Sequence, residues 1–336
     1  LLNSKLIIMQ RRKIYHYSFL PAALLLFVVA CKKQEYALPT PKDVLQNDCI
    51  KRTLGPNIVG QNIEFAYAMA ILPSKGKLVS AEVEASIAGA PGTYMENKSY
   101  YTDQGGVDVG IPIGDSSVTK GANTAVTFTT DTFATTLRYY YVIPDEARGK
   151  TVNFTFTSKS SNGETASFSM GPYTIAKMDM VRNLKVSTDN MAYISIADLT
   201  VYNAADAATN ADKIDLVYVY RKFDSSAFNH ALVSPAADTN YLPSVTLPTG
   251  VNRNSKLIKV FNLQDYNLAR LQYGIYIDDV DFQKLDFTNA PDYAINLKAE
   301  AGTWVETADA KFRAYIYINS VKSDGTAVIS IKRLTL

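Results

Sequence analysis

The chain is short of the residues that most enzymes are built around. Its 336 residues include two histidines, His16 and His230, and two cysteines, Cys31 and Cys49. His16 falls in an apolar leader, which leaves His230 as the one imidazole of the body. Ser–His–Asp triads, two-histidine zinc sites and most proton relays need an imidazole beside named partners, so only a version centred on His230 is open. A hydrolase working with two carboxylates stays formally open, although no spaced acid pair stands out. The expectation is therefore a non-enzyme with no cofactor and no metal. An excess of one charge is lacking too, since 34 Lys and Arg face 32 Asp and Glu. Lys5, Arg11, Arg12 and Lys13 all precede residue 31 with no acid among them, so the remainder carries 30 bases against 32 acids, a net charge of −2. That balance lacks the electrostatic footprint of a nucleic-acid binder. Helical periodicity is scarce, and only one long apolar run exists.

That run fills residues 19–30 and follows the basic Arg11, Arg12 and Lys13. A basic stretch, an apolar core and a small residue, Ala30, come in the order of a secretory signal. The core is too short for a permanent transmembrane helix, which needs roughly 20 apolar residues. Met9 is read as the start, 22 residues counted from Met9 through Ala30, with residues 1–8 as upstream sequence. Residues 31–54 read as a polar tether in which Pro39 and Pro41 favour extended backbone. Asp43 is an N-cap candidate for a short helix reaching Thr53, ended by Gly55-Pro56. Cys49 then lies in this leader as an incidental thiol.

Beyond the tether the periodicity is that of strands, and the fold class is all-β. Ile63, Phe65, Tyr67 and Met69 alternate with Glu64 and alanines, and residues 78–87, 126–128 and 137–143 follow. Val152, Phe154 and Phe156 share one face of a hairpin that turns at Asn162-Gly163 and returns through residues 166–170. Asn-Gly suggests a type I′ turn, which needs positive φ at both central positions. The second half repeats the plan. Residues 193–196, 201–202 and a nearly continuous apolar strand at 214–221 are followed by a closing hairpin that turns at Asp324-Gly325. The two hairpins have nearly the same spacing and read as equivalent ends of two tandem antiparallel β-sandwiches, 55–177 and 178–336. One short helix is expected from Asp265 to Tyr273, with Gly274 as its C-terminal cap.

Four residues are the ligand-binding candidates. His230, Tyr241 and Arg253 fall in the segment 223–256, which Pro235, Pro243, Pro248 and Gly250 mark as a long loop. Such a loop presents groups that hydrogen-bond and stack on a sugar or a peptide, or it is a connection pinned over the sandwich. Trp304, the sole tryptophan, either stacks on a ligand or packs between sheets. Tyr100-Tyr101 and Tyr139-Tyr140-Tyr141 carry the same ambiguity. Asp278, Asp279, Asp281 and Asp286 form an acidic cluster without the spacing of an EF-hand, and read as a solvated strand edge ahead of a calcium site.

Val28-Val29-Ala30-Cys31 resembles the lipobox of bacterial lipoproteins. The resemblance implies cleavage before Cys31, a diacylglycerol thioether on its sulfur and anchorage of the body to a membrane, leaving Cys49 without a disulfide partner. Tyr139-Tyr140-Tyr141-Val142-Ile143-Pro144, Gly149-Lys150-Thr151 and Phe154-Thr155-Phe156-Thr157 with Asn162-Gly163 resemble the closing strands of bacterial Ig-like domains. Leu232-Val233-Ser234-Pro235, Tyr241-Leu242-Pro243 and Gly250-Val251-Asn252 are similar to a family of Bacteroidetes-type outer-membrane lipoproteins without assigned function. That resemblance implies an outer-membrane lipoprotein, facing the cell surface or the periplasm, that binds a polysaccharide or protein ligand in adhesion. The alternative is a structural or assembly subunit of an outer-membrane or fimbria-like complex.

Overall fold

A computed structural model describes residues 42–222, 228–270 and 274–336. Every ladder between its strands is antiparallel. The first sandwich has a four-stranded sheet in the order β1 (Gln46–Lys51), β2 (Asn62–Ala70), β9 (Ala134–Val142), β4 (Tyr94–Met95). Opposite lies a five-stranded sheet, β11 (Thr165–Thr174), β10 (Thr151–Ser160), β3 (Leu78–Ala85), β8 (Asn123–Thr132), β7 (Val118–Lys120). Strict alternation on β2, β9 and β10 sends Phe65, Tyr67, Tyr139, Tyr141, Phe154 and Phe156 into the space between them. Their rings mesh at tilted and edge-to-face angles, with Phe65 and Phe154 tilted at 4.8 Å between centroids and Tyr141 edge to face with Phe154 at 4.9 Å. A separate hairpin, β5 (Lys98–Thr102) and β6 (Asp108–Pro112), pairs with neither sheet.

The second sandwich faces β12 (Met178–Ser187), β21 (Thr326–Thr335), β20 (Phe312–Val321), β19 (Ala301–Glu306), β17 (Lys256–Phe261) against a second sheet. That sheet runs β14 (Thr200–Tyr202), β13 (Tyr193–Ser195), β15 (Leu216–Arg221), β16 (Asn229–Val233), β18 (Tyr293–Leu297). The central strands β15 and β20 are covered on both faces, which explains why β15 reads as a nearly continuous apolar run. On β20, Ala314, Ile316 and Ile318 enter the central core, while Tyr315 and Tyr317 enter an outer one. That outer core lies under α2 (Tyr266–Ala269) and α3 (Asp279–Gln283). On β15, Leu216 and Tyr218 face the centre, and Val217 and Val219 face a layer that includes α1 (Ala204–Thr209). The tandem sandwich class is thus as the alternation indicates, with two added layers.

The fold corrects several local expectations. Residues 46–51 are a strand and not part of a helix. β1 pairs with β2 over its whole length, and the Asn47 amide donates to the Tyr67 hydroxyl at 2.9 Å and to the Ala166 carbonyl at 3.0 Å. A ladder, a bond to the neighbouring strand and one bond across to the opposite sheet outweigh one capping residue. Cys49 is consequently core and not leader: it is 5% exposed, and burial pushes its thiol up to about 12. The turn at Asn162-Gly163 is not type I′, because Gly163 alone has positive φ, +90°. Its amide donates to Ser160 and closes a longer loop. Gly325 repeats this at φ +84° with Lys322, so the two hairpins share one turn chemistry. The helix expected over 265–273 is a single turn after the Asp265 cap, stopped where Arg270 adopts a left-handed conformation. Leu271 and Tyr273 lie outside the described residues.

Between β11 and β12 the chain passes from one sandwich to the other. The junction is packed: Ile58 of the first sandwich is fully buried with Met178, Leu268 and Ile277 of the second. Asp179 receives the Arg148 guanidinium at 2.5 Å and also pairs with Arg333.

Candidate functional site

The candidate residues separate once the chain is folded. The segment 223–256 is not one loop, because β16 runs through it and takes His230 into the interior, 6% exposed. The His230 Nδ1 lies 2.6 Å from the Tyr218 hydroxyl, and its ring sits 4.5 Å from that of Tyr220. Burial lowers the imidazole's pKa, while the Asp324 carboxylate opposes this. A neutral ring bonded to a phenol is a core element. Arg253 is equally committed, with Nε 2.8 Å from Asp215, Nη2 3.0 Å from Asp309 and Nη1 donating to the Asp212 carbonyl. Tyr241 stacks on Tyr293 at 3.6 Å and pins a covering turn. Trp304 is 6% exposed and packs edge-on to Phe282 at 5.2 Å and against Tyr315 at 4.6 Å. None of the four lines any of the larger clefts. Cys31 lies outside the described residues.

The acidic cluster also takes another role. Asp278 accepts from the Val280 and Asp281 amides and Asp281 accepts from the Asp278 amide, a reciprocal capping box that starts α3. Capping takes up one oxygen of each of these two carboxylates, and no group of three or more metal-ligating side chains occurs among the described residues.

A large cleft lies where the two sandwiches meet. It has a volume of about 730 Å³. One wall belongs to the first sandwich, with Arg52, Asn57, Gln61, Asn62, Glu64 and Tyr140, and the other carries Tyr266, Asn267 and Tyr276 from the α2 loop. The loop is held from below by a buried ion pair, Lys332 Nζ to Asp265 Oδ2 at 2.5 Å. Lys332 also donates to Asn267 Oδ1 at 3.0 Å and the Ile277 carbonyl at 3.1 Å. Tyr276 closes against Gly55, which has φ +78°. A Cβ there would fall 2.1 Å from the tyrosine ring, so only glycine allows this approach.

On the first wall the pleat explains which side chains face out. β2 and β9 bury Ile63, Phe65, Tyr139 and Tyr141, so Glu64 and Tyr140 between them point away from the core. Glu64 pairs with Tyr140 and Tyr140 with Tyr94 across the strands. The Arg52 amide donates to the Glu64 carbonyl, which extends that row to four residues. Arg52 Nε is 3.1 Å from Glu64, and the rings of Tyr94 and Tyr140 stack at 4.9 Å. Burial, then the nearby Glu64 and Glu96 carboxylates, push the Tyr140 phenol up to about 12, so it is a neutral donor at neutral pH. Among the described residues, Glu64 is the only carboxylate lining this cleft. Flat rings thus lie beside amides and one charge pair.

Sequence reasoning missed this site. Its sole local signal is the tyrosine run 139–141, whose alternation puts the middle ring outside.

Residues 42–175 match a family model described as a domain of unknown function, DUF4466, and residues 176–336 match another, DUF8576. The solved structure of a DUF4466 family protein from Parabacteroides merdae is 47% identical, covers 88% of this chain and 100% of that chain, and has a TM-score of 0.82. The C-terminal fragment of the major pilin GBS80 of Streptococcus agalactiae is 11% identical over 55% of this chain and 74% of that chain, with a TM-score of 0.29. An immunoglobulin-like protein from Nocardia farcinica is 10% identical over 39% of this chain and 87% of that chain, with a TM-score of 0.20. Neither score supports a structural argument. No curated protein matches the chain.

Proposed function

This chain belongs to the DUF4466 family, and we propose that it is a non-catalytic binding protein of the bacterial envelope whose junction cleft holds a sugar-bearing ligand. The observation that carries this is the lining of the cleft. Tyr140, Tyr266 and Tyr276 offer aromatic faces, Gln61 and Asn62 offer amides that both donate and accept, and Asn267, whose oxygen is held by Lys332, offers its NH2 group. The side-chain amides of Gln61 and Asn62 have no hydrogen-bond partner among the described residues. Sugars present C–H faces to rings and hydroxyls to amides, so both classes of group are used.

An assembly role through strand pairing is less well supported. On β11, a ten-residue edge strand, the carbonyls of Ala166 and Thr174 accept from Asn47 and Asn57. Pro172 on the same edge has no amide to donate.

Tyr266→Ala and Tyr140→Ala are each expected to weaken glycan binding about tenfold, or about 1.4 kcal/mol, with the thermal midpoint little changed for the 38%-exposed Tyr266. Titration of the full chain against hits from a glycan array measures this. Unaltered affinity in both variants defeats the assignment to this cleft, and an array without hits defeats the sugar. Anchorage through Cys31 belongs to the same reading, supported by the apolar segment and the lipobox-like residues before it. Cys31→Ala is expected to move the protein from the membrane to the soluble fraction, since each buried methylene of an attached acyl chain is worth ~0.8 kcal/mol. Retention of the variant in the membrane fraction would contradict the anchor.

A further inference from the structure

The junction cleft continues onto the outer face of the β1-β2-β9-β4 sheet. A second cleft of about 480 Å³ is lined by Tyr94, Glu96, Lys98 and Tyr100, and a third of about 670 Å³ by Asp48, Ala68, Tyr100, Tyr101 and Thr136. The three are linked by shared rings. Tyr140 of the first stacks on Tyr94 of the second, and Tyr100 lines both the second and the third. On β2 the outward residues run from Glu64 at one end to Ala70 at the other, six positions or about 20 Å. Along that line Ala66, Ala68 and Ala70 have side chains too short to fill the space above the sheet. Each cleft alone is of the size that holds one small ligand; the series suits a chain.

The β5–β6 hairpin is what makes the series. It is clamped over the middle of the face by Arg138, whose guanidinium lies 4.0 Å from the Tyr100 ring centroid and pairs with Asp108. The Tyr100 hydroxyl is bonded to Glu96. The hairpin therefore stands as a fixed ridge carrying Tyr101, 53% exposed, beside the third cleft. Both guanidiniums on the face are paired, Arg52 with Glu64 and Arg138 with Asp108, and the remaining cation, Lys98, is outnumbered by the Glu96 and Asp48 carboxylates of the second and third clefts. An anionic polymer finds no uncommitted guanidinium there among the described residues.

Resting on the reading of the junction cleft as a sugar site, we propose that the ligand is a linear, neutral oligosaccharide. It runs from that cleft over the Tyr94–Tyr140 stack to Tyr100 and Tyr101. The experiment measures affinity of the full chain for ladders of neutral glucan, mannan and xylan oligosaccharides, from disaccharide to octasaccharide, with polygalacturonate fragments as the anionic counterpart. For the neutral series that binds, affinity is expected to rise at least about tenfold with length. Tyr101→Ala should remove that gain, Tyr266→Ala should weaken short and long members alike, and Phe261→Ala, on an exposed position of the other sandwich, should change nothing. Length-independent affinity, or a full gain retained in Tyr101→Ala, overturns the extended track while the junction site stands. Equal binding of the anionic fragments overturns neutrality. Binding of an extended peptide but no ladder overturns the track and the sugar reading together.

Discussion

Lys332→Ala is expected to destabilise the protein by about 3–5 kcal/mol, because it leaves a carboxylate buried without its counter-charge. Lys332 and Asp265 are both fully buried, 2.5 Å apart, on β21 and at the cap of α2. Asp265 also accepts from the Leu268 amide at 3.0 Å and the Ile277 amide at 2.8 Å, so one carboxylate fixes both ends of the loop that carries Tyr266 and Tyr276. Burial lowers the pKa of the Lys332 ammonium, while the Asp265 charge supports it. The pair as a whole need not be strongly stabilising, since desolvating two ions offsets most of their attraction. The loss on truncation is that of stranding one ion. Lys332→Met combined with Asp265→Asn is therefore expected to recover part of it, with the asparagine oxygen still accepting from one of the two backbone amides. Urea unfolding of Lys332→Met, Asp265→Asn and the double variant closes the cycle. A loss under about 1 kcal/mol in Lys332→Ala would mean that the ammonium is not sealed as described. The same variant should lose glycan affinity beyond its stability loss, because the second wall of the cleft hangs on this contact.

Trp304→Ala is expected to cost a further 3–5 kcal/mol, the range for deleting a large buried ring, and to leave no direct gap in any ligand cleft. The indole fills the space between Phe282 of α3 and Tyr315 of β20 in the outer core, where Phe287 and Ile58 also converge. Arg313 spans the same layer, pairing with Glu306 at 2.8 Å and donating to the Phe282 carbonyl at 2.7 Å, so the short α3 depends on what lies beneath it. Trp304→Phe is expected to cost much less, since it keeps an aromatic edge against Phe282. Thermal unfolding compares the two variants. As the sole tryptophan, Trp304 also reports its own environment, and its emission should shift to the red on unfolding in one step with the loss of β structure. A stability change near zero, with lost ligand binding, would return Trp304 to the surface role that its residue type suggests.

These effects show where local pattern was enough. The β10–β11 hairpin was readable because its alternation and its glycine turn lie within one short stretch, and Phe154 and Phe156 had to share a face whatever they packed against. The Asp278 cluster was misread because acids at a strand edge and acids at a helix N-terminus look alike one residue at a time. Only the register Asp278–Asp281, a spacing of three, marks the capping box. His230 was misread for a different reason. Prolines on the C-terminal side of β16 suggested a continuous loop, while the ladder that buries it is formed by β15 and β18, the latter more than 60 positions away.

Taken alone, the sequence determined that this is a strand protein with two sandwiches, which rings alternate inward, and that histidine and thiol chemistry have almost no material to work with. Period-two patterning is local, so it survives without knowledge of partners. Only the tertiary structure decided that residues 46–51 join the first sheet, that Arg253 and Trp304 are spent on internal contacts, and that a cleft opens between residues 52–64, Tyr140 and the α2 loop. Those groups are separated by up to 224 positions, from Arg52 to Tyr276. Their meeting depends on the angle at which Ile58 and Asp179 lock the two sandwiches, a relation between cores that no single stretch encodes.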